Sequence, residues 1–98
     1  MRLLMEDVVK WAEEKGILDN STSLRQFVKT QEEVTELLDA LTRGHKVDTA
    51  DALGDVLVTL IILAELEELD LEQCLDDVLQ IITKRTGTMV DGVFVKND

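Results

Sequence analysis

Between Val56 and Ala64 the chain reads VLVTLIILA, an apolar run broken by a single hydroxyl. Just upstream, Asp48, Asp51 and Asp55 recur at spacings of three and four residues, which places them on one face of a helix. That face continues into Thr59 and Ile62, while the far face carries Leu53, Leu57, Leu60, Ile61 and Ala64. A helix that is apolar all round has to be covered on every side. The run is too short for a bilayer, whose crossing takes about 20 residues. Other helices must therefore close around it, and the aspartates stand at the mouth of a buried groove. Gly54, unfavourable in mid-helix, predicts that another backbone or a ligand comes close there.

The remaining sequence supplies those helices. Proline is absent, aromatics are 3%, and Leu, Ile, Val and Ala provide nearly all the apolar mass, a composition suited to helices packed on helices. Helical spacing of Leu4, Val8, Trp11 and Ala12 predicts a first helix over about Arg2–Lys15, ended by Gly16. An ordered connector, Ile17–Thr22, follows, with Ile17 and Leu18 tucked under the fold. Ser23 and Gln26 fit a capping box that opens a second helix. Its core stripe reads as Leu24, Phe27, Val28, Val34, Leu38 and Leu41, and Gly44 stops it. A third helix covers about Asp48–Leu69. Asp70 with Gln73 caps a fourth that runs to about Arg85 and packs through Leu71, Leu75, Val78, Leu79 and Ile82. The tail from Gly87 to Lys96 has an Asp91-Gly92 pair between apolar residues, a hairpin-like signal. The expected architecture is an all-α bundle of about four helices with a short extended tail, one domain over residues 1–98. Four short helices cannot cover the third, so a homo-oligomer is expected, a dimer or a dimer of dimers.

Charge excludes one class of partner. With 21 acids against 10 bases the formal charge is -11, and no basic stripe offsets it, so nucleic acid is not the expected ligand. Cys74 is the lone cysteine, which leaves no internal disulfide or cysteine-rich zinc site. The first residues lack a signal-peptide pattern. A soluble, cytoplasmic protein without membrane contact is the expectation.

Glu32, Glu33 and Glu36 form a second acidic cluster, on the helix before the turn Thr42-Arg43-Gly44-His45. A helical hairpin brings both clusters together. Crowded carboxylates repel, and a buried one without a partner is unfavourable. Lys29 lies one turn before Glu33 and can pair with it, but the remaining acids outnumber the bases. A hard divalent cation, Mg²⁺ with Mn²⁺ as a substitute, is the economical answer. A di-iron bundle would need Glu-x-x-His pairs, which His45 does not supply, and no EF-hand loop is present.

These residues resemble the MazG-type all-α nucleoside triphosphate pyrophosphohydrolases, in particular the short single-domain forms of phages and prophages. Their hallmark is EExxE, a hairpin turn, then ExxD. Glu32, Glu33 and Glu36 match the first part and Asp55 the last position of the second. Ala52 stands where a glutamate is usual. Asp51, on the same face, is the candidate substitute, with Asp48 as the other. WAEEKGIL with Gln26, and the closing LDLEQCLDDVLQIITKRTGTMVDGVFVK, extend the resemblance over nearly the whole chain.

The resemblance implies Mg²⁺-dependent hydrolysis of a nucleoside triphosphate to the monophosphate and pyrophosphate, in nucleotide-pool sanitation or control. It assigns metal binding to Glu33, Glu36 and Asp55, with Asp51, and makes Glu32 either the base for the attacking water or a further metal ligand. Lys29, Lys84, Arg85 and Lys96 are candidates for the phosphates, and Trp11 for the base. Trp11 can equally be core, Lys84 and Arg85 can serve the helix end, and Asn20 and Gln26 can cap helices. dUTP- or dCTP-preferring enzymes and phosphoribosyl-ATP pyrophosphohydrolases share this chemistry. The tail fits the nucleotide-pool enzymes better than the last. The rival expectation is a catalytically silent helical module that oligomerises or binds a protein, its acids serving solubility.

Overall fold

The computed structural model describes residues 2–97. They form α1 (Arg2–Glu14), α2 (Ile17–Asn20), α3 (Ser23–Arg43), α4 (Lys46–Leu66), α5 (Leu71–Ile82), β1 (Gly87–Val90) and β2 (Val93–Lys96). The helices are the four expected, plus a single turn in the connector. Ile17 and Leu18 are half-buried there.

Helix boundaries follow their caps. α3 opens on Thr22, whose hydroxyl accepts from the Arg25 amide at 3.3 Å, not on Ser23. The Ser23 hydroxyl instead donates to Glu67 at the far end of α4, and Gln26 is drawn into the interior. α3 closes on Gly44, whose φ of 67° lies in the left-handed region, where a Cβ is disfavoured. Its amide reaches back to Leu41 and that of His45 to Ala40, so the chain reverses at once into α4. α4 starts two residues earlier than expected and ends at Leu66. Asp70 caps α5 as expected, accepting from the Gln73 amide at 3.2 Å.

α3 and α4 pack antiparallel along a seam of Gln26, Thr30, Glu33 and Ala40 against Ala52, Thr59 and Ile62, all buried. Gln26 Nε2 donates across the seam to the Thr59 carbonyl at 3.1 Å. The seam is therefore largely polar or small, which corrects the expected core stripe of α3. Leu24 is 81% exposed and Leu38 60%, and Phe27, Val28, Val34 and Leu41 are also open to solvent. The phase explains this. Phe27, Val34 and Leu41 each follow a seam residue of α3 by one position, and Leu53 and Leu60 do so on α4. One step is about 100° in the same sense on both helices, and antiparallel packing brings both stripes to the same side of the hairpin. Asp39, Glu32 and Asp51 each precede a seam residue by one position and occupy the opposite side.

α1 lies on α4, burying Met5 and Ala12, with Met5 and Ile61 lining the same groove. Arg2 ties its start to the start of α5, with ion pairs to Asp70 at 3.2 Å and Glu72 at 2.8 Å. The expected packing face of α5, including Leu75, Val78, Leu79 and Ile82, is exposed. The tail forms the expected hairpin, Gly87 pairing with Lys96 and Val90 with Val93 around an Asp91-Gly92 turn with φ of 49° and 82°. A Cβ at Gly87 would collide with the Val95 carbonyl and the Phe94 ring, so glycine is required there. The radius of gyration is 16.0 Å, against about 13 Å for a compact chain of this length. Among the described residues no helix is long and apolar enough to cross a membrane.

Gln26→Ala removes the cross-helix hydrogen bond and opens a hole in the seam. The expected loss is about 2 kcal/mol, or a fall in Tm of about 10 °C in a domain of this size. Thermal melting followed by circular dichroism measures it. An unchanged Tm would show that this bond does not hold the hairpin.

Candidate active site

The seam carries one acid inward. Glu33 is 8% exposed, and its Oε2 is buried without a hydrogen-bond partner. Its Oε1 meets Lys29 Nζ at 3.2 Å, one turn back, the pairing expected from the sequence. Lys29 also reaches Glu32 at 3.7 Å. The hydrogen bond to Glu33, and then its charge, raise the Lys29 pKa. Glu32 itself stands out in solvent.

Glu36 lies one turn after Glu33. The Glu36 carboxyl is held above its ordinary pKa, first by hydrogen bonding with Glu33, then by the charge of Glu33 and loss of water, with Asp55 adding from α4. Two ionised carboxylates are both acceptors. No bond can join them until one takes a proton or a cation comes between. The raised Glu36 and the orphaned oxygen of Glu33 thus describe one electrostatic conflict.

Beside this pair, Glu36, Asp39, Ala40, Arg43, Asp48, Asp51, Ala52 and Asp55 line an open groove of about 270 Å³. Asp48 is already engaged, by Arg43 at 3.2 Å and by His45 Nδ1 at 3.2 Å. Among the described residues Asp51 and Asp55 have no ion-pair partner. Among those same residues no three His, Cys, Asp or Glu side chains are gathered closely enough to clasp an ion as they stand.

A second groove, about 540 Å³, runs between α1 and α4 and shares Asp55 with the first. Trp11, Val8, Gly54 and Leu57 help to line it, and Trp11 is 47% exposed. Among the described residues, and apart from its chain neighbours and the surrounding helix backbone, no atom comes within 4 Å of where a Cβ on Gly54 would stand. The expected close backbone is not there, and Gly54 opens onto this groove. Lys84 and Arg85 follow α5 and Lys96 ends β2. None of the three lines either groove. Sequence reasoning passed over several groove residues, among them Arg43. Its place in the turn was visible, but its bridge between helices was not.

The phosphoribosyl-ATP pyrophosphohydrolase family matches residues 8–81, from α1 through α5. The chain belongs to this family. It shares its all-α superfamily with the MazG-type enzymes that the motifs resemble. The match does not bear on the ranking of the phosphoribosyl-ATP enzymes behind the nucleotide-pool enzymes as to substrate. That ranking rested on the tail, and the match ends before the tail begins. The chain is also 30% identical, over 70 residues, to the uncharacterized 18.2 kDa protein in the rep-hol intergenic region of Haemophilus phage HP1 (strain HP1c1). The aligned region is 71% of this chain and 43% of that protein, so the chain spans less than half its relative's length. No solved structure matches.

The Glu33–Glu36 conflict has a pH signature. A carboxyl whose folded pKa is raised favours the fold below its unfolded pKa, near 4.5, and that contribution is lost as pH rises through the folded value. In EDTA, wild-type Tm should therefore carry a decline above pH 4.5 that Glu36→Gln lacks, and Glu36→Gln should melt higher at pH 7. Parallel Tm profiles for the two proteins would mean that the carboxylates do not oppose folding.

Proposed function

We propose that this chain is a divalent-cation-dependent pyrophosphohydrolase. It cleaves a nucleoside triphosphate between the α and β phosphates and releases the monophosphate and pyrophosphate. The observation that carries the reading is the buried, unpartnered Glu33 oxygen beside Glu36 and near Asp55. All-oxygen, all-anionic donors of this kind fit Mg²⁺, with Mn²⁺ as substitute. Family membership supports the reaction class.

Glu33, Glu36 and Asp55 would hold the ion, with Asp51 completing the set in place of the residue missing at Ala52. Asp51 is preferred to Asp48 because Arg43 and His45 already occupy Asp48. A bound ion supplies charge neutralisation at phosphate oxygens and acidifies water. Glu32, exposed on the acidic side, accepts the proton of the attacking water. Lys29, which pairs with Glu32 and Glu33, holds that edge together and is a candidate for the phosphates. Trp11 offers a stacking face for the base in the α1–α4 groove, beside Asp55. Lys84, Arg85 and Lys96 enter this reading as groups brought by a second copy.

Assembly belongs to the same proposal. The leucine-rich side of the α3–α4 hairpin and the open face of α5 are what a homodimer, or a dimer of dimers, would bury. Multi-angle light scattering at micromolar concentration should give at least twice the chain mass. A monomeric mass would remove this part of the reading.

Pyrophosphate release from a panel of standard and modified nucleoside triphosphates, with phosphoribosyl-ATP included, tests the reaction. Release is expected with Mg²⁺ and not in EDTA. Glu36→Gln and Asp55→Asn should each reduce kcat by 100-fold or more (an order-of-magnitude expectation for loss of a transition-state electrostatic contact) while remaining helical. Mg²⁺ should also raise Tm, by the equivalent of about 2.7 kcal/mol at 100 times Kd. A folded protein inert on every substrate and unmoved by Mg²⁺ would favour the silent interaction module.

A further inference from the structure

Arg43 occupies an unusual place. It is the one cation among the residues lining the acid groove, against carboxylates from Glu36, Asp39, Asp48, Asp51 and Asp55. Its Nε meets Asp39 at 3.1 Å on its own helix, and its Nη2 meets Asp48 at 3.2 Å on α4. A basic residue in the last turn of a helix complements the dipole, and a pair with Asp39 one turn back is ordinary. Neither accounts for the reach to α4 or for a position inside the groove.

We propose that Arg43 binds the substrate's phosphate chain, a deduction that rests on the pyrophosphohydrolase reading above. Side chains on a helix lean toward its N-terminus, so Arg43 leans along α3 toward Asp39 and Glu36. Glu36 and Asp55 lie seven residues from Arg43 and Asp48 respectively, about 10 Å along the helix axes. The cation thus stands two turns from the proposed ion, at the turn end of the groove. A polyanion anchored at the ion and extending along the groove meets Arg43 and no other groove cation. Asp39 is mostly exposed and Asp48 half-exposed, and ion pairs of that kind contribute little. Exchanging an aspartate for a phosphate therefore costs little, and a guanidinium fork matches phosphate oxygens bidentately. Its pair with Asp48 on α4 keeps the side chain in the groove before substrate arrives.

The test is isothermal titration with Mn²⁺ alone, and then with inorganic tripolyphosphate in the presence of Mn²⁺. Wild type, Arg43→Gln, Arg43→Lys and Asp39→Asn are compared. Arg43→Gln should bind Mn²⁺ at least as tightly as wild type, because a positive charge near the acids has gone. Its tripolyphosphate affinity should fall by about 10-fold or more. Arg43→Lys should fall between the two, and Asp39→Asn should stay within about twofold of wild type or bind tighter, since it frees the guanidinium. Unchanged tripolyphosphate affinity in Arg43→Gln, with Mn²⁺ binding intact, overturns this assignment alone. An equal loss in Asp39→Asn overturns it too, because the bridge would then be structural. A wild type that takes up neither probe overturns the pyrophosphohydrolase reading, and this assignment with it.

Discussion

Everything in this molecule is referred to the α3–α4 seam. Small residues, Ala40 and Ala52, let the two helices approach, and a Gln26–Thr59 hydrogen bond crosses between them. Because seam positions recur with the helical period, the residue before each and the residue after each fall on opposite sides. Along α3 and α4 the preceding positions include Glu32, Asp39 and Asp51, and the following ones Val34, Leu41 and Leu53. One packing choice thus sorts charge from hydrocarbon without a separate device for either.

That sorting shows how much could be read in advance. The helices, the Asp70 cap, the turn at Gly44 and the C-terminal hairpin rest on local chemistry, and each is where the sequence places it to within a few residues. The face of α3 that packs is not local. Its hydrophobic stripe is real, but a stripe says only that something covers it. A single chain gives no sign whether the cover is a neighbouring helix or another molecule. The polar register Gln26-Thr30-Glu33 has the same helical spacing as the leucines, and only the fold shows that it lies inside.

The candidate site divides in the same way. Lys29 beside Glu33 follows from their spacing on one helix, so it was legible. The engagement of Asp48 by Arg43 and His45 depends on how tightly the turn closes, and spacing alone leaves Asp48 and Asp51 equivalent. Ala52 illustrates the point from the other side. It sits in the seam across from the α3 acids and also lines the groove, so a small side chain there serves helix approach as well as leaving room. Its departure from the usual motif therefore has a packing consequence, and loss of function is not the sole meaning it can carry.

Burying Glu33 in the seam works against stability, since an ionised carboxylate with an unpartnered oxygen is among the least favourable groups to place in an interior. Close packing elsewhere in the seam does not need a carboxylate, as Thr30 and Ala40 on the same face show. Lys29 satisfies one oxygen from the exposed edge and leaves the inner one open. Full neutralisation by a second lysine would relieve the strain but would leave no electrostatic demand for a cation. Under the proposed metal-binding role, the half-compensated state would keep that demand while the helix still forms. Under the proposed reading, the same unfavourable charge that weakens the metal-free fold is the source of affinity for the ion, and stability and ion binding are two measures of one interaction.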